Sequence, residues 1–130
     1  MYDEITQAII NMAMLTKPYA QIVLGSMPPD NGIALTAYGG PDSIMLDIGA
    51  EQRLNIVLNG KNSDQLTVVQ SLNAIHRELT FRKDFPSGLG WQIYSIQTVA
   101  SPRLLGREQN NQWLYGSSLV AYFYQEGLSQ

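Results

Sequence analysis

The chain has 130 residues, of which 45% are hydrophobic and 15% are charged, and its formal net charge is −3. This length predicts a single domain, residues 1–130, with enough chain for one hydrophobic core. The absence of any run of Lys or Arg argues against nucleic-acid binding through phosphate neutralisation, and the absence of cysteine excludes disulfides and thiolate metal sites.

The charged fraction lies well below the roughly 25% typical of soluble domains. Two interpretations remain open: part of the surface is buried against partners, or the surface is neutral and rich in Asn, Gln, Ser and Thr. At the N-terminus, Asp3 and Glu4 stand where a signal peptide carries positive charge, and no apolar run approaches about 18 residues. We therefore expect a soluble protein that is made in a cytosol, carries no secretory signal and does not enter a membrane.

The first predicted element is a helix over residues 3–15. Ile5, Ala8, Ile9 and Met12 recur at helical spacing and predict a stripe that faces the core. Ile10 and Met14 are expected on the face opposite that stripe. They are either a subunit interface or an ordinary pair of exposed hydrophobic residues.

The middle of the chain alternates in the manner of strands. Strands are predicted over residues 19–24, 33–38, 44–48 and 53–59, separated by turn signals such as Pro28-Pro29 and Asn31-Gly32. A second helix is predicted over residues 64–81, with Val69, Leu72, His76 and Leu79 on its apolar face.

The last part of the chain predicts two long strands, residues 90–100 and 112–124, joined by a polar connection over residues 101–111. The final strand has large apolar groups on both faces, so something must cover each face. The order of elements predicts an α+β fold: an antiparallel or mixed sheet of five to six strands with two helices packed on it.

No catalytic or metal-binding set is expected. His76 is the single histidine and lies within an apolar stripe, where a partly buried, hydrogen-bonded imidazole is typical. It has no acidic partner at helical spacing on its side of the helix. The short glycine motifs fit neither a nucleophile elbow nor a phosphate loop, and we expect no cofactor.

Three stretches carry a family resemblance: Trp91 to Ile96, Ser101 to Tyr115, and Leu119 to Tyr124. With the order of the elements and Arg77-Glu78-Leu79 near the end of the second helix, they resemble the small minor capsid and tail terminator proteins of long-tailed bacteriophages. The segment from Pro102 to Asn111 is the most characteristic part.

The resemblance implies a virion structural protein that is assembled in the host cytoplasm. It forms a ring, typically of six copies, at the head-proximal end of the tail tube. Its partners would be other copies of itself, the tail-tube protein and the head connector protein, and DNA would pass through without specific binding. The expected ring contacts are Ile10, Met14, Tyr122 and Tyr124, and the expected docking residues are Arg103, Leu104, Leu105 and Arg107. Two alternatives remain: another head–tail joining component, or a small α+β enzyme or ligand-binding domain that uses His76.

Overall fold

The computed structural model describes residues 2–39, 51–88 and 90–125. Within these ranges the elements are, in chain order, α1 (Tyr2–Met14), β1 (Ile22–Leu24), β2 (Ile33–Gly39), β3 (Glu51–Asn62), α2 (Gln65–Thr80), β4 (Ser87–Gly88), β5 (Trp91–Arg107) and β6 (Trp113–Gln125). The predicted α+β class is confirmed. The strand predicted over residues 44–48 lies outside the described residues.

All six described strands form one sheet, in the order β1-β2-β3-β6-β5-β4. The first pair, β1 and β2, is parallel, and every other pair is antiparallel, so the sheet is mixed. The two long strands β3 and β6 pair along their whole length at the centre, from Glu51–Tyr124 to Asn62–Trp113. Both outermost strands are very short. The sequence analysis did not predict β4, because two residues carry no usable alternation.

The central strands have a core face because their side chains alternate. Leu54, Ile56 and Leu58 are fully buried, whereas Arg53, Asn55 and the other intervening residues of β3 are only partly buried. On β6 the corresponding core-facing residues include Leu119 and Phe123. Period-two alternation is the geometry of a pleated strand, so the sequence pattern directly predicts this face.

Both helices pack on that core face. Helix α2 buries five residues at helical spacing and contacts β3, β5 and β6. Its buried residues are Val68, Leu72, Ile75, His76 and Leu79. Burying each Leu or Ile side chain contributes roughly 1.5–3 kcal/mol. No helix in the described parts of the chain is long and apolar enough to span a bilayer.

The predicted orientation of Ile10 and Met14 is wrong. Ile10 is only 6% exposed and belongs to the core, and Met14 is partly buried against that core. The physical reason is that α1 packs against both α2 and β2. A helix that contacts two elements buries a wider part of its surface than the single stripe that a helical wheel predicts.

The prediction of a polar loop over residues 101–111 is also wrong. Strand β5 continues to Arg107, and only the segment from Glu108 to Gln112 forms the turn. Register shifts between Thr98 and Ala100, between Ala100 and Arg103, and between Leu104 and Gly106 interrupt the alternation. Bulges of this kind accommodate Pro102 within a strand and hide the strand from pattern analysis.

Candidate assembly surface

The face of the sheet that points away from the helices is the candidate functional surface. Alternation along β6 puts Leu114, Val120, Tyr122 and Tyr124 on this outer face, and the sequence analysis predicted large apolar groups on both faces of this strand. Tyr124 is 50% exposed and Tyr122 is partly buried. Neither α1 nor α2 covers these side chains, because both helices pack on the opposite side.

A cluster of three tyrosines dominates one end of the outer face. The ring of Tyr94 stacks on Tyr124 with 4.7 Å between centroids, and its centroid lies 6.2 Å from that of Tyr122. The Tyr94 hydroxyl is buried and has no hydrogen-bond partner in the part of the chain that the structure describes. The sequence analysis did not select Tyr94. Its outward direction follows from alternation with the buried Trp91 and Ile93, a signal that the sequence contains.

The predicted docking residues lie on the second half of β5. Leu104 and Leu105 are 47% and 50% exposed. The side chain of Leu105 leans over Gly116 on the neighbouring strand, where an added Cβ would lie 2.7 Å from Leu105 Cδ1. Leu105 and Arg103 also line a shallow groove of about 290 Å³ with Val57 and Asn59. The two exposed leucines are therefore held on a strand.

Arg107 ends β5 and is held by two contacts. Its guanidinium lies 5.1 Å from the centre of the Trp113 ring, a cation–π arrangement. Its Nη2 donates a hydrogen bond of 2.8 Å to Asn111 Oδ1. The structure thus places the four predicted docking residues along one strand that ends beside the hairpin turn.

The hairpin turn is fastened to the rest of the sheet. Lys61 Nζ lies 2.7 Å from Glu108 Oε1, and the Lys61 side chain is only 8% exposed. The backbone N–H of Asn31 donates to Gln112 Oε1 at 2.7 Å, and Asn110 Nδ2 donates to Asp30 Oδ1 at 2.7 Å. These links join the turn to β3 and to the segment between β1 and β2.

Tyr19 stabilises the neighbouring part of the sheet through its hydroxyl group. Its hydroxyl lies 2.8 Å from the carbonyl oxygen of Gly32 and 2.9 Å from that of Lys61. Burial raises the pKa of Tyr19 to about 12, partly offset by the hydrogen bond to the Lys61 backbone. This hydroxyl therefore stays protonated near neutral pH and acts as a structural donor.

His76 occupies the position that the sequence analysis predicted. It is 6% exposed, and its Nδ1 lies 2.8 Å from Thr98 Oγ1. Burial lowers the pKa of His76 to about 4, because the protonated imidazole loses solvation. Among the described residues, no group of three or more His, Cys, Asp or Glu side chains is placed to hold a metal ion.

Comparison with known proteins gives a likeness in structure alone. No protein-family model matches the chain, and no curated protein matches it. Among solved structures, a chain from the virion of a native gene transfer agent particle aligns with a TM-score of 0.65 and 13% sequence identity. The alignment covers 91% of this chain and 92% of that chain. The two chains share one fold.

A second match is a crystal structure from Akkermansia muciniphila, with a TM-score of 0.46, 10% identity and coverage of 95% of this chain and 50% of that chain. A TM-score this low carries no argument. The likeness to the virion chain extends over nearly the full length of both chains, so it concerns the whole arrangement of sheet and helices. At 13% identity it establishes the fold and leaves the role of each residue to be argued from this structure.

Proposed function

We propose that this chain is a structural protein of a virion of the tailed-bacteriophage type. It forms a ring, expected to contain six copies, at the head-proximal end of the tail, where it ends growth of the tail tube and joins the tail to the head. The observation that carries the proposal is the fold shared with a chain of a gene transfer agent virion along nearly the full length of both chains.

The distribution of exposed apolar groups supports a role in assembly. Tyr124 and Leu105 are each about half exposed on the face of the sheet that neither described helix covers. Leu104, which pairs with Tyr115 of the other face, is exposed to a similar extent. Aromatic side chains and arginine on a rigid surface are typical anchors of protein–protein interfaces. His76, the one candidate for chemistry, is buried and hydrogen-bonded, so no specific observation favours the enzyme alternative.

We assign two roles to exposed side chains of β5 and β6. Tyr122 and Tyr124 contribute to contacts between copies of the chain within the ring. Arg103, Leu104, Leu105 and Arg107 dock to the tube or to the head connector. Ile10 makes no such contact, because it belongs to the core of its own subunit, and Met14 has only its partly buried surface to offer.

The mechanism is stoichiometric binding. One face of the ring matches the last ring of tail-tube subunits, and the other face offers no tube-like surface, so polymerisation stops. DNA passes through the ring without specific binding, and no membrane or cofactor takes part. A net charge of −3 provides weak repulsion of DNA at most.

Deleting the coding region in a strain that produces the particle tests this proposal. Loss of a terminator is expected to give tails of uncontrolled length and heads without tails, and the wild-type chain supplied in trans restores normal particles. Electron microscopy measures tail length. Tails of normal length beside unjoined heads would instead identify another head–tail joining component. Particles that keep their normal form and still infect cells or transfer DNA would refute a virion role.

A residue-level test uses Leu104→Ser with Leu105→Ser as the docking variant. Both side chains are about half exposed, so the fold is expected to survive the change. Leu24→Ser is the matched control, because Leu24 is 59% exposed on β1, at the opposite edge of the sheet. We expect the docking variant to lower the yield of joined particles at least tenfold and the control to leave it unchanged.

A further inference from the structure

Among the described residues, the sheet has a partly unpaired strand at each edge. On one edge, β4 pairs only with Trp91 and Gln92, and the described residues provide no strand beside β5 after that point. On the other edge, β1 pairs with β2 from Ile33 to Leu35. The remainder of β2, Thr36 to Gly39, has no strand on that side within the described ranges. Unpaired backbone N–H and C=O groups at an edge are a template for strand addition.

The two unpaired segments lie at the same position along the strand direction. Following the register across all four strands gives three continuous rows: Ala37–Ile56–Leu119–Thr98, Tyr38–Asn55–Val120–Gln97, and Gly39–Leu54–Ala121–Ile96. Each row begins on the free part of β2 and ends on β5. Three successive antiparallel pairings separate these strands, so β2 and β5 run in opposite directions. The β5 of one copy therefore has the right sense for an antiparallel pair with the β2 of another.

The irregularities of β5 limit where a second strand can pair. Its register with β6 is regular from Ser95 to Thr98 and shifts on both sides of that segment. Farther along, the shift that contains Pro102 falls in the rows where β1 already covers β2. Bulges and proline protect an edge from pairing, so the segment from Ser95 to Thr98 is the part of β5 that remains suitable.

Exposed side chains mark the same places. Tyr38 on the free part of β2 is 55% exposed, and Val99, just after the regular segment of β5, is 65% exposed. In a pair between copies, Tyr38 would lie beside Gln97 of its neighbour. On the outer face it would then extend the cluster formed by Tyr94, Tyr122 and Tyr124.

We propose that the edge of β2 from Ala37 to Gly39 pairs with the edge of β5 from Ile96 to Thr98 in the next copy of this chain. The sheet then continues from copy to copy around the ring. Because the two edges share the same rows, successive copies do not shift along the strand direction. A closed ring requires this, whereas a helical filament does not. This inference rests on the proposed ring and specifies the contact that builds it.

Cysteine cross-linking tests the pairing, because the natural chain contains no cysteine. The variants are Tyr38→Cys with Gln97→Cys, and Tyr38→Cys with Ser95→Cys. Within one chain three strand-to-strand steps, about 14 Å in total, separate these positions. That distance is beyond the reach of a disulfide, so any bond that forms must join two copies. Mild oxidation is expected to give a ladder of disulfide-linked multimers on a non-reducing gel.

Tyr38→Cys with Gln70→Cys is the matched control, because Gln70 is exposed on α2, outside the sheet. Light scattering on the wild-type chain measures assembly independently. An oligomer whose two edge variants both fail to cross-link would overturn the edge pairing and leave the ring intact. A monomer at every concentration would overturn both the pairing and the ring.

A second variant avoids dependence on disulfide geometry. Tyr38→Lys with Val99→Lys adds charge beside both edges, and each side chain is more than half exposed, so the subunit is expected to remain folded. We expect self-association to weaken at least tenfold, with an unchanged urea midpoint for the monomer. Unchanged association would overturn the pairing.

Discussion

The buried imidazole of His76 makes subunit stability depend on pH in a defined direction. Its folded pKa is about 4, below the ordinary value of 6.5 that applies in the unfolded chain. The unfolded state therefore binds a proton more readily than the folded state. The stability that the neutral His76 contributes is fully present above about pH 6.5 and is lost as the pH falls toward 4. Below pH 4 this group causes no further loss.

The size of the effect follows from the two pKa values. Between them, each pH unit costs up to about 1.4 kcal/mol, so the free energy of unfolding falls by about 2 kcal/mol from pH 7 to pH 5. Thr98, the hydrogen-bond partner of His76, is exposed, so water reaches the margin of this site. Partial screening of this kind reduces the expected loss to about 1 kcal/mol.

Urea denaturation at several pH values measures this loss. The fluorescence of Trp91 and Trp113 reports unfolding, and His76→Gln is the comparison, since glutamine does not titrate. Subtracting the variant's free energy from that of the wild type cancels the contribution of the carboxylates. Because the chain has one histidine, the imidazole resonance in a proton NMR titration also gives its pKa directly. A resonance that titrates near 6.5, or equal pH dependence in both proteins, would refute the assigned burial.

Two further predictions concern the hairpin turn and the two faces of β6. Glu108→Gln is expected to lower the free energy of unfolding by about 2 kcal/mol, because the largely buried Lys61 ammonium loses its carboxylate partner. In urea titrations Lys61→Met should cost less, and the reverse order would contradict this account. Phe123→Ala should cost about 3–5 kcal/mol, because Phe123 is fully buried. Tyr124→Ala should cost below about 1 kcal/mol and weaken association in sedimentation velocity. Equal destabilisation by the last two variants would contradict the assigned faces.

Regular alternation made the centre of the fold predictable. The alternation in β3 puts Leu54, Ile56 and Leu58 on one face, and that face is buried. The face of α2 with Leu72 and His76 followed from helical spacing. These patterns are local, since each side chain's direction depends only on its position in a regular backbone. The outward direction of Tyr122 and Tyr124 followed in the same way.

Predictions failed where packing or irregular backbone determined the result. Ile10 is buried because α1 contacts two elements at once, and a helical wheel cannot count the neighbours of a helix. The second half of β5 was assigned to a loop because its bulges destroy the alternation that marks a strand.

The sequence by itself determined that this chain forms an α+β fold with apolar groups on both faces of its last strand. It could do so because hydrophobic periodicity and residue chemistry are properties of short segments. Only the tertiary structure decided which edges of the sheet have no neighbouring strand within the described ranges, and that those edges lie in the same rows. Strand order and register arise from contacts between residues far apart in the chain, such as Tyr38, Asn55, Val120 and Gln97, and no local pattern contains that information.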